Sequence, residues 1–154
     1  MSDSISTRPE LLSATDVVQV AGCTYRQIDY WCRIGTMTPH TPARGCGTSR
    51  RFTLAEAAIC RAFTLLSSIG MRNQKEFVRL VTAVAADNSL LGGAVAISVD
   101  GSVAVLDCDN PPVAGYVIDL SACRAHVLAE TRILVEQRAV TVLREAQDDR
   151  RTTR

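Results

Sequence analysis

The sequence contains no run of about 18 consecutive apolar residues, which is the length that a membrane-spanning helix needs. The longest candidate, residues 95–106, is interrupted by Ser98, Asp100 and Ser102. Residues 1–13 are polar and lack the basic cap and apolar stretch of a secretion signal. We therefore expect a cytoplasmic protein with no membrane partner.

Cysteines in metal-binding or redox spacing are also lacking, because none of the six cysteines belongs to a CxxC motif. In a reducing compartment we expect thiols, mostly buried, rather than disulfides. Cys108 and Cys123 are separated by a predicted loop and strand, and His40 and His126 lie in different elements, so we predict no metal and no cofactor. Cys46, in a Gly-rich segment between arginines, is the candidate exposed thiol.

A catalytic constellation is absent as well. No nucleophile, base and orienting group form a recognisable set, no glycine-rich loop of the phosphate-cradling kind occurs, and the acidic residues are scattered along the chain. We therefore predict that the protein is not an enzyme.

The amino-acid composition is typical of a folded protein, and its positive charge is concentrated in one region. The 154 residues are 47% hydrophobic and 21% charged, enough for one domain or two small ones. The net charge of +1 is unevenly divided: residues 1–72 carry eight arginines against five acids, and the remainder carries nine basic against eleven acidic residues. Residues 26–51 hold five arginines and the single acid Asp29. This patch indicates a polyanion bound at one face.

Three capping boxes predict three helices in the first half of the chain. The boxes are Ser13 with Asp16, Thr24 with Gln27, and Thr53 with Glu56, and the helices that they open end at Gly22, Gly35 and Gly70. Between the second and third helices, Pro39 and Pro42 exclude a helix, and the Gly-rich residues 44–51 predict a hairpin. The order helix, turn, helix, basic hairpin, helix is that of a winged helix-turn-helix.

The same stretch carries a family resemblance. Its residues are Gly22, Tyr30, Trp31, Arg33, Gly35, Pro39, Arg50, Arg51, Phe52, Thr53 and Gly70. In this order, residues 12–76 resemble the DNA-binding domain of MerR-type regulators, and residues 25–31 look like an actinobacterial and phage branch that includes the cell-division regulator FtsR. The resemblance implies a winged helix that binds double-stranded DNA and a dimer formed through a helix behind it.

The predicted DNA-binding residues lie on two elements. They are Thr24, Tyr25, Arg26, Gln27, Tyr30 and Arg33 on the recognition helix, residues 24–34, and Arg44, Arg50 and Arg51 on the wing. The Arg26 guanidinium can donate two hydrogen bonds to guanine. Gln27 either forms paired hydrogen bonds with adenine or uses its side chain in the capping box with Thr24. Of Arg50 and Arg51, strand alternation directs only one outward, so we expect the other to pair internally. We expect Arg26→Ala to blur sequence choice and Arg44→Ala to weaken all sequences alike.

The aromatic pair and the acid of the recognition helix have distinct expected roles. Adjacent helix residues point about 100° apart, so we expect Trp31 in the core beside Ile28 and Leu66, while Tyr30 reaches a phosphate. Many MerR-type proteins have arginine where Asp29 stands. An acid there repels phosphate, so we expect Asp29 to pair with Arg26 or Arg33, or to face the interior.

The second half predicts a small α+β unit. Asn73 with Glu76 opens a helix ending near residue 88, and its core-facing residues are Phe77, Val78, Leu80, Val81 and Val84. Residues 94–99 and 102–107 form a hairpin around Asp100-Gly101, residues 116–120 a third strand, and Ser121 caps a helix to about residue 147. The apolar set of this last helix is amphipathic but not strictly heptad: Val127, Leu128, Leu134, Val135, Val142 and Leu143.

These elements give an α+β fold with four predicted segments. They are a flexible lead-in at residues 1–12, a winged helix at 13–72, a helix, β-hairpin and helix domain for dimerisation or effector binding at 73–147, and a charged, frayed tail at 148–154. We predict a sequence-specific transcriptional regulator that reads a pseudo-palindrome as a homodimer, with RNA polymerase or another regulator as a candidate partner. The alternatives are an excisionase-like DNA-bending factor of a phage or mobile element, and a protein-interaction adaptor that uses the C-terminal domain.

Overall fold

The computed structural model describes residues 11–44, 49–71, 74–100, 102–107, 109 and 114–152. Within these residues the fold is mixed α+β, with five α-helices and two small antiparallel sheets. The predicted fold class is therefore confirmed at this level. None of the described helices combines the length and the apolar character that crossing a membrane requires.

The first three helices begin where the capping boxes predict. They are α1 (Ala14–Ala21), α2 (Tyr25–Arg33) and α3 (Leu54–Ser68), and in each box the backbone and side-chain hydrogen bonds are both present. At the end of α1, Gly22 has φ +69°, a left-handed conformation that glycine adopts without steric cost. The chain therefore turns into α2 within three residues.

A short sheet holds the base of the basic hairpin, residues 41–51. Strand β1 (Leu12–Ser13) pairs antiparallel with β2 (Arg51–Phe52). On the other side of β2, Thr41 and Arg51 exchange two backbone hydrogen bonds of 3.0 Å. These paired residues flank the segment predicted as a hairpin, residues 44–51, whose tip at residues 45–48, including Cys46, lies outside the described residues.

The second half forms a helix and a three-stranded sheet. Helix α4 (Gln74–Ala86) and a 3-10 helix (Asn88–Gly92) lead into β3 (Ala94–Ser98), β4 (Val103–Val105) and β5 (Gly115–Asp119). The strand order is β4-β3-β5, and both pairings are antiparallel. The three predicted strands are confirmed. Val78 is exposed, however, so its predicted place in the core is wrong, because α4 turns its Phe77, Leu80 and Val84 side inward.

The last helix, α5 (Leu120–Thr152), differs from prediction at both ends. Asp119, not Ser121, caps it, since Asp119 Oδ1 accepts hydrogen bonds from the Ala122 N–H at 2.9 Å and the Ser121 hydroxyl at 2.6 Å. The helix also continues through residues 148–152, so the predicted frayed tail is wrong for these residues. No glycine or proline occurs there to end the helix.

Helix α5 packs against α3 and α1 and so joins the two halves of the chain. Buried residues from both halves form one hydrophobic cluster, which is continuous across residue 72. At its centre the Trp31 and Phe63 rings lie 5.3 Å apart, and Phe63 stacks on Phe77 at 4.3 Å. Leu134 is the last buried apolar residue of α5, and the described side chains beyond it are exposed.

Candidate nucleic-acid interface

Helix α2 is held by one face and presents the other to solvent. Ile28 and Trp31 on its inner face are 0% and 4% exposed, which confirms the predicted core position of Trp31. Because a helix repeats every 3.6 residues, Arg26, Tyr30 and Arg33 lie on the side of α2 opposite these two. Their side chains are exposed, and so is that of Tyr25 in the first turn.

The outward face of α2 borders an open groove of about 540 Å³. The residues that line it are Thr24, Arg26, Gln27, Asp29, Tyr30 and Arg33. The structure therefore brings five of the nine predicted site residues to one surface, together with one acid. Arg33 also stacks beside Tyr30, with its guanidinium carbon 6.0 Å from the ring centre.

Asp29 is paired across the fold and not along its own helix. Its Oδ1 accepts a hydrogen bond of 2.9 Å from Nη1 of Arg50, on the basic hairpin. The predicted partners, Arg26 and Arg33, are therefore wrong, because the hairpin places a guanidinium over α2 that the helix spacing alone does not reveal. The hydrogen bond to Asp29 raises the pKa of Arg50 above its ordinary value.

The two adjacent arginines of the hairpin divide as predicted. Arg50 pairs internally with Asp29, whereas the Arg51 side chain is exposed and Phe52 after it is fully buried. Strand alternation explains this arrangement. Arg44, the third predicted hairpin arginine, is exposed as well, but it does not line the groove.

Gln27 has a fixed hydrogen-bonding role. Its Oε1 accepts from the Thr24 N–H at 2.8 Å and from the Thr24 hydroxyl at 3.1 Å, while the Gln27 N–H donates to Thr24 Oγ1 at 3.2 Å. The capping alternative is therefore the one observed. A paired contact with adenine, which needs both Oε1 and Nε2, would require this cap to open.

The described cysteines are largely buried. Cys23, Cys60 and Cys123 are buried free thiols, and Cys32 is half-buried. Burial raises the pKa of Cys23 and of Cys123 to about 11 each, which disfavours the reactive thiolate. Cys108 lies outside the described residues. Among the residues that are described, no group of three or more metal-ligating side chains converges on a cation site.

A second long-range ion pair was not anticipated from the sequence. Asp16 of the first capping box is buried, and its Oδ1 accepts a hydrogen bond from Arg138 in the middle of α5. The other carboxylate oxygen accepts from the Ser13 N–H at 2.9 Å. Sequence reasoning identified Asp16 only as a capping residue, because nothing in a local pattern points to a partner 122 residues away.

The comparisons with known proteins do not assign this surface to a family. No family model matches the chain, and no curated protein matches it either.

Proposed function

We propose that the protein is a sequence-specific DNA-binding regulator of transcription, with α2 as the recognition helix of a winged helix-turn-helix. The observation that carries this proposal is the outward face of α2, where Arg26, Gln27, Tyr30 and Arg33 border one groove. A helix in the major groove reads base edges with side chains near its N-terminus, and guanidinium groups suit both guanine and phosphate.

The electrostatics of this face favour a polyanion. Among the described residues, Asp29 is the single acid bordering the groove, and its charge is offset by Arg50 at 2.9 Å. Arg26 and Arg33 border the same groove, and no acid of the described ranges forms an ion pair with either, so the net charge of the surface is positive. Arg51 is exposed on the neighbouring hairpin, where a guanidinium suits a phosphate or the minor groove.

The order of elements gives independent support. Helix α1, a turn at Gly22 and helix α2 precede a hairpin base and helix α3. This order agrees with the resemblance of residues 12–76 to MerR-type DNA-binding domains. The proposal takes the winged helix and the regulatory role from that resemblance, and it includes the cytoplasmic setting expected from the sequence.

Arg26→Ala is the first test. A random-library selection with the whole protein should recover a DNA motif, and the motif and a scrambled duplex are then compared by fluorescence anisotropy. We expect Arg26→Ala to weaken binding to the motif more than binding to the scrambled duplex, because a base contact contributes about 1–3 kcal/mol of discrimination. Arg51→Ala should weaken both duplexes about equally.

Arg124→Ala is the matched control, because Arg124 is an exposed arginine on α5, far along the chain from the groove. Its binding should equal that of the wild type. Equal losses on both duplexes for Arg26→Ala would contradict the assignment of α2 as the element that reads the bases.

The same selection distinguishes the alternative functions. Recovery of tandem repeats that are bound cooperatively would favour an excisionase-like factor. A lack of DNA affinity at low ionic strength would favour a protein-interaction adaptor.

We further propose that the protein is a homodimer joined by the exposed side of α5. Leu128, Val135 and Val142 recur every seven residues on one side of α5 and are 39%, 45% and 62% exposed. Beyond Leu134 the helix extends about 27 Å at 1.5 Å per residue, a length that is marginally stable as an isolated helix. The groove beside Val135 is bordered by Arg132 and Glu136, whose opposite charges suit a second copy related by two-fold symmetry.

Val135→Glu is expected to convert the dimer into a monomer. The substitution places two like charges near the two-fold seam, so light scattering at micromolar concentration should give half the wild-type mass. Val99→Glu changes an even more exposed valine outside α5 and should leave the dimer intact. A wild-type protein that is monomeric under these conditions would exclude the homodimer.

A further inference from the structure

The three capping boxes of the chain differ in one chemical respect. The residue three positions after the cap is an acid in α1 and α3, namely Asp16 and Glu56. In α2 it is a neutral amide, Gln27. A carboxylate is the electrostatically favoured group at a helix N-terminus. The exception occurs at the one capping box that borders the positive groove.

The orientation of the Gln27 amide follows from its partner. The backbone N–H of Thr24 can only donate, so the Gln27 atom 2.8 Å from it is the carbonyl oxygen Oε1. The Thr24 hydroxyl occupies the same oxygen at 3.1 Å. No hydrogen bond joins the amide nitrogen Nε2 to another residue of the described ranges, so its two hydrogens are available to a ligand in the groove that Gln27 lines.

We infer that Gln27 is a specificity-determining residue that acts only as a hydrogen-bond donor and selects guanine over adenine. This inference rests on the proposed DNA-binding function. In the major groove guanine presents two acceptors, N7 and O6, which a single NH2 group can contact together. Adenine presents N7 beside the N6 amino group, a donor that faces the Gln27 donor unfavourably.

The need for a donor also explains the amide in place of an acid. A glutamate at residue 27 would keep the capping hydrogen bond from Thr24 but would place a second, acceptor oxygen toward the groove. That oxygen repels phosphate and cannot contact the acceptors of guanine. Glutamine retains the cap and offers donors, so one side chain both begins the helix and reads a base.

Gln27→Glu tests the inference, because it preserves the cap and exchanges only the donor for an acceptor. The random-library selection is repeated with this variant, and single-base variants of the recovered motif are compared by anisotropy. We expect the wild type to require guanine at one base pair of each half-site. At that base pair, the affinity ratio that favours guanine should fall about five- to 150-fold in Gln27→Glu. The variant should instead favour cytosine, whose N4 amino group donates a hydrogen bond to the new carboxylate.

Glu56→Gln is the matched control. It makes the reverse exchange in the capping box of α3, where Glu56 Oε2 accepts from the N–H groups of Thr53 and His40. Both variants should unfold at temperatures near that of the wild type, and Glu56→Gln should recover the wild-type motif. A changed motif with Glu56→Gln would overturn the inference, since it would show that altering a capping box distant in sequence from Gln27 is enough to change the base preference.

The possible outcomes distinguish a failure of this inference from a failure of the proposed function. If the wild type recovers a motif but prefers adenine at the affected pair, the inference fails and DNA binding stands. A uniform loss of affinity in Gln27→Glu with unchanged base preference likewise overturns the inference and leaves DNA binding intact. If the wild type recovers no motif, the proposed function fails, and this inference fails with it.

Discussion

Phe63→Ala is expected to lower the free energy of unfolding by about 3–5 kcal/mol, the range typical of removing a buried aromatic side chain. Phe63 is fully buried and lies between two other rings, 5.3 Å from Trp31 and 4.3 Å from Phe77. Its loss leaves a cavity and also removes two aromatic pairs. Because the three rings belong to α2, α3 and α4, the substitution loosens the support of α2. Urea denaturation followed by circular dichroism measures the change.

Tyr25→Ala is the control for this prediction. Tyr25 is also aromatic and lies on α2, but it is 59% exposed, so its removal should change the free energy of unfolding by less than about 0.5 kcal/mol. If Phe63→Ala costs no more than Tyr25→Ala, the aromatic cluster does not hold α2 to the core. A further expectation is that Phe63→Ala weakens binding to all duplexes alike, since it alters the position of α2 and not its reading side chains.

Asp16→Ala is expected to lower the free energy of unfolding by about 2–4 kcal/mol at neutral pH, because hydrogen bonds to a charged group contribute about 1.5–3 kcal/mol each. The Asp16 side chain is 6% exposed and accepts from Ser13 and Arg138, whereas the Arg138 side chain is 59% exposed. Solvent screening at Arg138 reduces the contribution of the ion pair. Arg138→Ala should therefore cost less than Asp16→Ala. Urea denaturation at pH 7 measures both.

The contribution of Asp16 should disappear in acid. Burial by itself raises the pKa of the Asp16 carboxyl, but the hydrogen bonds from Ser13 and the guanidinium of Arg138 outweigh it, so the pKa lies below its ordinary value. A carboxyl with a lower pKa when folded stabilises the protein above its unfolded pKa of about 3.9 and loses that effect as pH falls through the folded value. The difference between wild type and Asp16→Ala should thus shrink below about pH 4.

One control variant isolates this pH dependence. Arg144→Ala removes an exposed arginine further along α5 and should show the wild-type dependence on pH. A difference between wild type and Asp16→Ala that stays constant from pH 7 to pH 3 would show that the carboxylate charge contributes nothing. Since Arg138 lies one turn beyond Leu134, where α5 leaves the core, this ion pair is positioned to set the direction of the projecting half of the helix.

Much of the secondary structure was predictable because its determinants are local. Each of the first three helices starts at a side chain that caps a backbone N–H three residues away, and the sequence spacing alone reveals such a bond. The turn between β3 and β4 is equally local, since Asp100 Oδ1 accepts a hydrogen bond of 2.9 Å from the N–H of Ser102. The predicted start of α5 was wrong because two nearby residues, Asp119 and Ser121, can each cap a helix, and the local pattern does not decide between them.

The candidate site was only partly predictable. That Arg26, Gln27, Tyr30 and Arg33 share a surface follows from helical periodicity, and the sequence also indicated that either Arg50 or Arg51 would turn inward. The choice between them, and the pairing of Arg50 with Asp29, depended on how the hairpin folds over α2.

The sequence by itself therefore determined the starts of the first three helices, the pairing of β3 with β4 and the residue types on the outward face of α2, since these depend on contacts within a few residues. Only the tertiary structure decided which charges pair and what α5 packs against. Asp29 meets Arg50 from 21 residues away and Asp16 meets Arg138 from 122 residues away, and α5 covers α1 and α3. The physical reason is that a charged side chain has many partners of suitable sign along the chain, and the packing of the core brings only one of them within hydrogen-bonding distance.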